Sequence, residues 1–375
     1  MHGNESTNRS ETTPELSIVA TARNDDHGGN LLGRMQLFMS GILEQCNRFD
    51  LPAELILVEW NPPDDRPRLV EALDWRDHGS RCQVRLIEVP HEIHNRYEHS
   101  EALPLFQMIA KNVGVRRARG EFILATNIDI LFSDAMMAFL SKQSLRHDSM
   151  YRVDRYDVEP SPKIEDSVPE RLRWCGNHVI RRNGRFESID LRTGTSYSAG
   201  WKPTWRVRLL ERLQDLHLVP TVTRPPLHLN GCGDFTLLHR GHWFNLRGYA
   251  ELEMYSMHLD SLLCTAAAVS GLKEVVLQDP MRIYHVEHGS GSGFKPENVQ
   301  ALNNRLHKSG IPQMSMTDFH RYAIEMRRNA KPILINDDQW GLGNENLRET
   351  NPLVETHAIS AVSRSESSLT AVTGC

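Results

Sequence analysis

Short apolar runs and longer stretches of helical periodicity alternate along the first 150 residues. Leu16–Ala22, Glu54–Trp60, Gln83–Val89 and Phe122–Ala125 are compact, largely apolar runs bounded by polar, Gly or Pro residues, and they predict buried strands. Between them, about Leu31–Phe49, Arg68–Trp75 and Leu103–Arg119 space their apolar residues as helices do; Leu32, Met35, Phe38, Met39, Ile42 and Leu43 mark the first. Strands alternating with helices predict an α/β fold, a mostly parallel central sheet flanked by helices.

Polar residues close three of these strands: Asn24-Asp25, Glu59 and Asn127-Ile128-Asp129. In an open sheet the carboxyl ends of parallel strands line one edge, where ligands bind. Asn127 and Asp129, two apart, point to the same side of an extended segment. Taken alone, such a pair is more often a loop cap. The convergence of three polar strand ends shifts the expectation toward a hard divalent cation held by oxygen ligands.

Farther along, Ser133 predicts an N-cap for a helix over 134–145, and Met150–Val158 predicts a strand. Residues 159–205 are polar and Arg-rich and predict an irregular insertion or lid. An amphipathic helix over Arg206–Leu218 and an extended linker to Pro226 follow. Gly233–His239, Lys273–Gln278 and Met281–Val286 predict strands; His242–Leu246, Met257–Ser270 and Pro296–Leu306 predict helices. The chain is thus expected to divide into a lead-in (1–15), a first half (16–150), an insertion (151–226), a second half (227–335) and a tail (336–375). Composition predicts disorder for the lead-in and the tail.

The overall charge narrows the partners. The 375 residues carry 43 basic and 48 acidic side chains, a net charge of −5, so no global field favours nucleic acid or an anionic membrane. Six Cys without a CxxC pair argue against a zinc ribbon or disulfide framework and for a reducing compartment. Met1–Pro14 is polar, unlike a signal peptide, and the longest apolar run, Leu262–Val269, is too short for a membrane span. A cytoplasmic protein is expected, with peripheral membrane attachment left open.

Several of these segments, in this order, resemble GT-A-fold glycosyltransferases, especially family 2 and its relatives. Ser17-Ile18-Val19 leading to Arg23-Asn24-Asp25 is similar to their first strand and nucleotide-contacting loop. Lys111-Asn112-Val113-Gly114 with Ala118-Arg119-Gly120-Glu121 is similar to their helix-to-strand passage. Asn127-Ile128-Asp129 stands where the family carries Asp-x-Asp, with Asn in the first place, and Glu59 stands where Asp is commoner. Gly233-Asp234-Phe235, Trp243, Arg247-Gly248-Tyr249 and His258-Leu259-Asp260 resemble the acceptor half, with His258 replacing one acid of the usual pair. The resemblance runs from Leu16 to Gly293, without 159–226.

It implies transfer of a sugar from a UDP- or GDP-sugar to an acceptor hydroxyl. Residues 16–150 become the nucleotide-sugar-binding half and 227–335 the acceptor-binding, catalytic half; the acceptor would be a glycan or a lipid-linked glycan. Donor contacts fall on Ala22, Arg23, Asn24, Asp25, Glu59, Asn112, Asn127 and Ile128. The leaving diphosphate calls for Mn²⁺ or Mg²⁺, with Asp129 as ligand and a late-loop His, His288 or His285, completing the site. His285-Val286-Glu287-His288 opens into Gly289-Ser290-Gly291-Ser292-Gly293, which would fold over the donor; a plain flexible linker is the rival reading. Asp260, near a helix start, is the expected base of an inverting reaction, against a simple capping role. Asp234 and His239 are lesser candidates for sugar or acceptor contacts. Trp243 and Tyr249 would stack on a sugar unless they are core. Two other classes stay open: a sugar nucleotidyltransferase, which calls for a Lys that Arg23–Gly29 lacks, and a non-catalytic glycan-binding or scaffold relative.

Overall fold

The computed structural model describes residues 13–75, 81–142, 144–160, 162–198, 226–289 and 299–352, with isolated positions between 209 and 218. Its strands are β1 (Leu16–Ala22), β2 (Ala53–Trp60), β3 (Cys82–Val89), β4 (Phe122–Ala125), β5 (Ile130–Phe132), β6 (Ser149–Val153) and β7 (Arg155–Val158). They continue as β8 (Val179–Asn183), β9 (Glu187–Asp190), β10 (Ser196–Ser198), β11 (Thr236–His239), β12 (Lys273–Leu277), β13 (Ile283–Val286) and β14 (Arg348–Thr350).

Among the described residues the main sheet has the order β12-β6-β11-β4-β1-β2-β3-β14. Its centre, β4-β1-β2-β3, is parallel, and β11 and β14 run antiparallel to their neighbours. The chain is therefore a mixed α/β protein. β1, β2 and β4 are buried along their whole length, as continuous apolar runs require. One face packs on the helix Leu31–Arg48 through Met35, Phe38 and Ile42. The other packs on Gln107–Arg117 and Leu259–Val269 through Ile109, Val113, Leu259 and Leu263. At that face Gly114 lets the helix close on β1 and β2, because a Cβ there would lie 2.5 Å from Val19 Cγ1.

The second sheet, β10-β9-β8-β7-β13-β5, was not expected. The stretch Met150–Val158, which predicts one strand, is two strands in different sheets, broken at Asp154. Asp154 is turned aside by Arg182 Nε, which donates to it at 2.8 Å, and by His228 Nε2 at 2.8 Å. Nor is 162–198 irregular. A helix over Val168–Asn177, with a Ser167–Glu170 capping box, leads into the β8-β9-β10 meander. Most of Arg206–Pro226, and 290–298 with the glycine run after Gly289, lie outside the described residues.

Residues 336–352, expected as a draped tail, pack on the helix Gln107–Arg117. Arg116 donates to the Asp338 and Trp340 carbonyls, Arg117 to those of Gly341, Leu342 and Glu345, and Trp340 is buried. β14 then caps the edge of β3, with Glu349 paired to Arg85 at 2.9 Å. A further helix, Met316–Asn329, is capped by Ser315 and packs on Leu259–Val269. Among the described residues, no helix is long and apolar enough to cross a membrane.

Candidate functional site

β4 delivers Asn127 and Asp129 to the carboxyl edge of the main sheet. The chain then turns into β5, which pairs antiparallel with β13, so that His285 lies opposite Ile130. Val286 N donates to the Asp129 carbonyl at 3.0 Å, which fixes the end of β13 beside Asp129. His285 Nε2 is then 3.7 Å, and His288 Nε2 3.2 Å, from Asp129 Oδ2. The ligating atoms of the three side chains all fall within 4.8 Å of one another. Asp129 Oδ1 is buried and has no hydrogen-bond partner among the described residues. One carboxylate and two imidazoles around an orphaned oxygen fit a divalent ion, and Mn²⁺ better than Mg²⁺. Burial works to raise the Asp129 carboxyl, but His285, His288 and Arg34 outweigh it and hold it well below the usual carboxylate range.

The first loop closes against this cluster. Gly28, at φ +75°, leaves no room for a side chain, since a Cβ there would lie 2.2 Å from His288 Nδ1. Gly289 N donates to the Gly28 carbonyl at 3.0 Å. Arg34 braces the same loop by donating to the carbonyls of His27 (2.6 Å) and Gly29 (2.7 Å). Gly28 thus admits the late histidine.

Behind the cluster runs a buried polar chain. Gln107 donates to Asn127 Oδ1 at 3.0 Å, and Asn127 Nδ2 donates to Asp234 Oδ1 at 2.6 Å. Arg155 bridges Asp234 (2.7 Å) and Asp157 (2.8 Å). Asn127 is therefore committed at both ends of its amide. Lys111, fully buried, donates to the Gly233 carbonyl at 2.6 Å and places a cation within the influence of Asp234, Asp260 and Asp129. Burial pushes its ammonium down to about 8 against those three carboxylates. Neither Lys111 nor Arg155 was anticipated. The alternation Arg155-Tyr156-Asp157, two polar residues on one face of a strand, was the available signal.

Asp260 sits in the first turn of Leu259–Val269 and is partly exposed; its Oδ1 accepts from Ser261 N at 2.7 Å. Gly233 makes room for it, since a Cβ there would be 3.0 Å from Asp260 Oδ2. Lys111 and Asp260 thus meet at Gly233, the one at its carbonyl and the other in the space a side chain there would take.

The strand-end residues of the first half divide. Ala22 ends β1; Arg23 donates to the Asn61 carbonyl (2.6 Å) and pairs with Asp25 (3.1 Å). Asn24 is buried, donates to the Pro67 carbonyl at 2.9 Å, and its Oδ1 has no partner among the described residues. Ile128 packs into the apolar cluster under the sheet. Asn112 does not reach the sheet edge. It is fully buried, its Nδ2 donates to the Tyr249 carbonyl and Glu251, and its Oδ1 accepts from Tyr249 N. It fastens the turn at Gly248 (φ +69°), where a Cβ would lie 2.3 Å from Asn112 Oδ1. Trp243 and Tyr249 are core, 5.3 Å apart, with Trp243 Nε1 bonded to the Ile123 carbonyl. His239 lies at the opposite end of β4, stacked on His147, with Nδ1 accepting from Gly241 N.

Glu59 is buried at the end of β2, and both carboxylate oxygens accept from Leu69 N, at 3.0 and 3.1 Å. Burial raises its carboxyl from 4.5 to about 7, with the Leu69 bond opposing. As pH rises, the unfolded chain releases this proton first, so the native state loses stability between about 4.5 and 7. Glu59→Gln removes that titration. Its stability relative to the parent is expected to rise by about 2–3 kcal/mol from pH 4.5 to 8. Denaturant melts across that range measure it, and a pH-independent difference would contradict the raised carboxyl.

No protein-family model and no curated protein matches the sequence. Among solved structures the chain is similar to S. aureus TarS 1-349 in complex with UDP: TM-score 0.40, 13% identity, over 82% of this chain and 68% of that one. A second structure of S. aureus TarS 1-349 gives TM-score 0.40 and 14% identity, over 84% and 71%. A longer TarS structure gives 0.42 and 12%, over 84% and 43%, so this chain spans under half its length. Likeness at this level leaves the reading of the site to its own geometry.

Proposed function

We propose that the chain is a GT-A-type, metal-dependent glycosyltransferase that moves a sugar from a UDP- or GDP-sugar to an acceptor hydroxyl with inversion. One observation carries the reading. Asp129, His285 and His288, from distant parts of the sequence, meet at the carboxyl edge of a parallel sheet around a buried carboxylate oxygen that lacks a partner. A divalent ion held there would act as a Lewis acid on the donor diphosphate. Asp129, His285 and His288 would hold it; Arg23, Asn24, Asp25 and Glu59 line the neighbouring strand ends, where the nucleoside belongs. Asp260 would take the acceptor proton, and Lys111 would steady the carboxylates around it.

Incubation with a panel of nucleotide-sugars and Mn²⁺ tests this. Slow hydrolysis or saturable binding of one UDP- or GDP-sugar is expected. Failure to bind or turn over any of them would sink the proposal. Pyrophosphate release from a nucleoside triphosphate and a sugar phosphate would replace it with a nucleotidyltransferase.

A further inference from the structure

We infer that Asp157 is a positioning residue that fixes the ring of His285 for metal binding; this rests on the metal reading of Asp129, His285 and His288. The strand register sets it up. β7 and β13 are parallel neighbours, and Asp157 is the direct partner of His285 across them. His285 Nδ1 lies 3.2 Å from Asp157 Oδ1, in ion-pair contact though not aligned as a hydrogen bond, while Nε2 faces Asp129 Oδ2 at 3.7 Å. The ring is thus held between two carboxylates, with a different nitrogen toward each. A proton on Nδ1 turned to Asp157 leaves the Nε2 lone pair directed at the ion site. A metal-bound imidazole commonly has such a partner behind it, which sets the tautomer and the ring plane.

Asp157 is itself built in. It is fully buried, accepts from Asn183 Nδ2 at 2.9 Å, and is paired with Arg155 Nε at 2.8 Å. Arg155 also holds Asp234, so one guanidinium ties both carboxylates in place behind His285. A purely structural ion pair would need only Arg155 and Asp157. The His285 ring against Asp157 Oδ1 gives the carboxylate a second task. Glu287, which gathers with Asp157 and His285, lies past the end of β13 and has no such register relation.

Asp157→Asn tests the inference through Mn²⁺ affinity, read from free-ion electron paramagnetic resonance without any donor or acceptor. Loss of about 10- to 100-fold is expected. In a His285→Ala background the same substitution should change affinity less than about 2-fold, because the ring it positions is gone. Unchanged affinity in the single variant, or an equal loss in both backgrounds, overturns the inference. A second readout needs no variant. In the Zn²⁺-loaded parent protein, nitrogen-15 spectra of the imidazoles should show His285 protonated at Nδ1 and bound through Nε2; the opposite tautomer overturns it as well. A parent protein that binds no divalent ion would remove the metal reading and this inference together, whereas an ion-binding parent with an unaffected Asp157→Asn removes only the latter.

Discussion

Asp129→Ala is expected to abolish Mn²⁺ binding and, with it, metal-dependent binding of the nucleotide donor. The loss should be on the order of 10³-fold or more, about 4 kcal/mol, because Asp129 offers the sole carboxylate of the Asp129–His285–His288 set. Two buried imidazoles without their anion form a poor site for a doubly charged ion. The variant also leaves His285 without one of the carboxylates that hold its charged form; burial disfavours that charge, and Asp129 and Asp157 together overcome it. Some loss of stability in the metal-free protein is therefore expected, of about 1–3 kcal/mol, smaller than for a fully orphaned ion because Asp157 remains. Titration of Mn²⁺ and of a UDP- or GDP-sugar into parent and variant, with circular dichroism to verify the fold, gives the answer. If the variant binds Mn²⁺ as the parent does, the ion is elsewhere. If it loses Mn²⁺ but keeps full donor affinity, the ion does not bridge the diphosphate.

The central strands were legible because β1, β2 and β4 are buried on both faces, so burial alone dictates continuous apolar runs. The second sheet was not. β8 and β9 are held by charged and polar pairs, such as Arg182 with Asp154 and Asn183 with Asp157, rather than by alternating apolar residues. An Arg-rich composition looks the same whether its charges face water or one another. The tail 336–352 was hidden for a related reason. Its backbone carbonyls are bound by Arg116 and Arg117, and a carbonyl leaves no mark on composition.

The site shows the same division. Asp129 could be singled out because three polar strand ends converge on one sheet edge, and His285 and His288 because the resemblance implies a late-loop His beside it. Their partners Arg155, Asp157 and Lys111 could not, because their meaning depends on register: Asp157 matters through its place opposite His285. Asn127 shows the limit of motif reading. It stands in the position of a metal-motif acid, yet its amide is spent between Gln107 and Asp234. Asn112 likewise sits in a motif-like segment but serves the Gly248 turn.

Asp260→Asn should leave donor and Mn²⁺ binding within about 2-fold of the parent while slowing sugar transfer by roughly 10³-fold, within the range that general bases contribute. The substitution is nearly isosteric, and the cap to Ser261 N can be kept by the amide oxygen, so fold and donor site should survive. What is lost is the capacity to take a proton. Asp260 is partly exposed, unlike Asp157 and Asp234, which are buried and paired with Arg155 and with Asn183 or Asn127. Of these three acids it is the one open to solvent, which is why the base is assigned to it in the proposal. Gly233 keeps its Oδ2 clear of a side chain. The measurement is the initial rate of transfer to an accepted glycan, alongside donor hydrolysis and the anomeric configuration of the product. Unchanged transfer would remove Asp260 from the chemistry. A product with the donor's own configuration would point to a retaining route, in which no such base is needed and the nucleophile must be sought among the groups around Asp129.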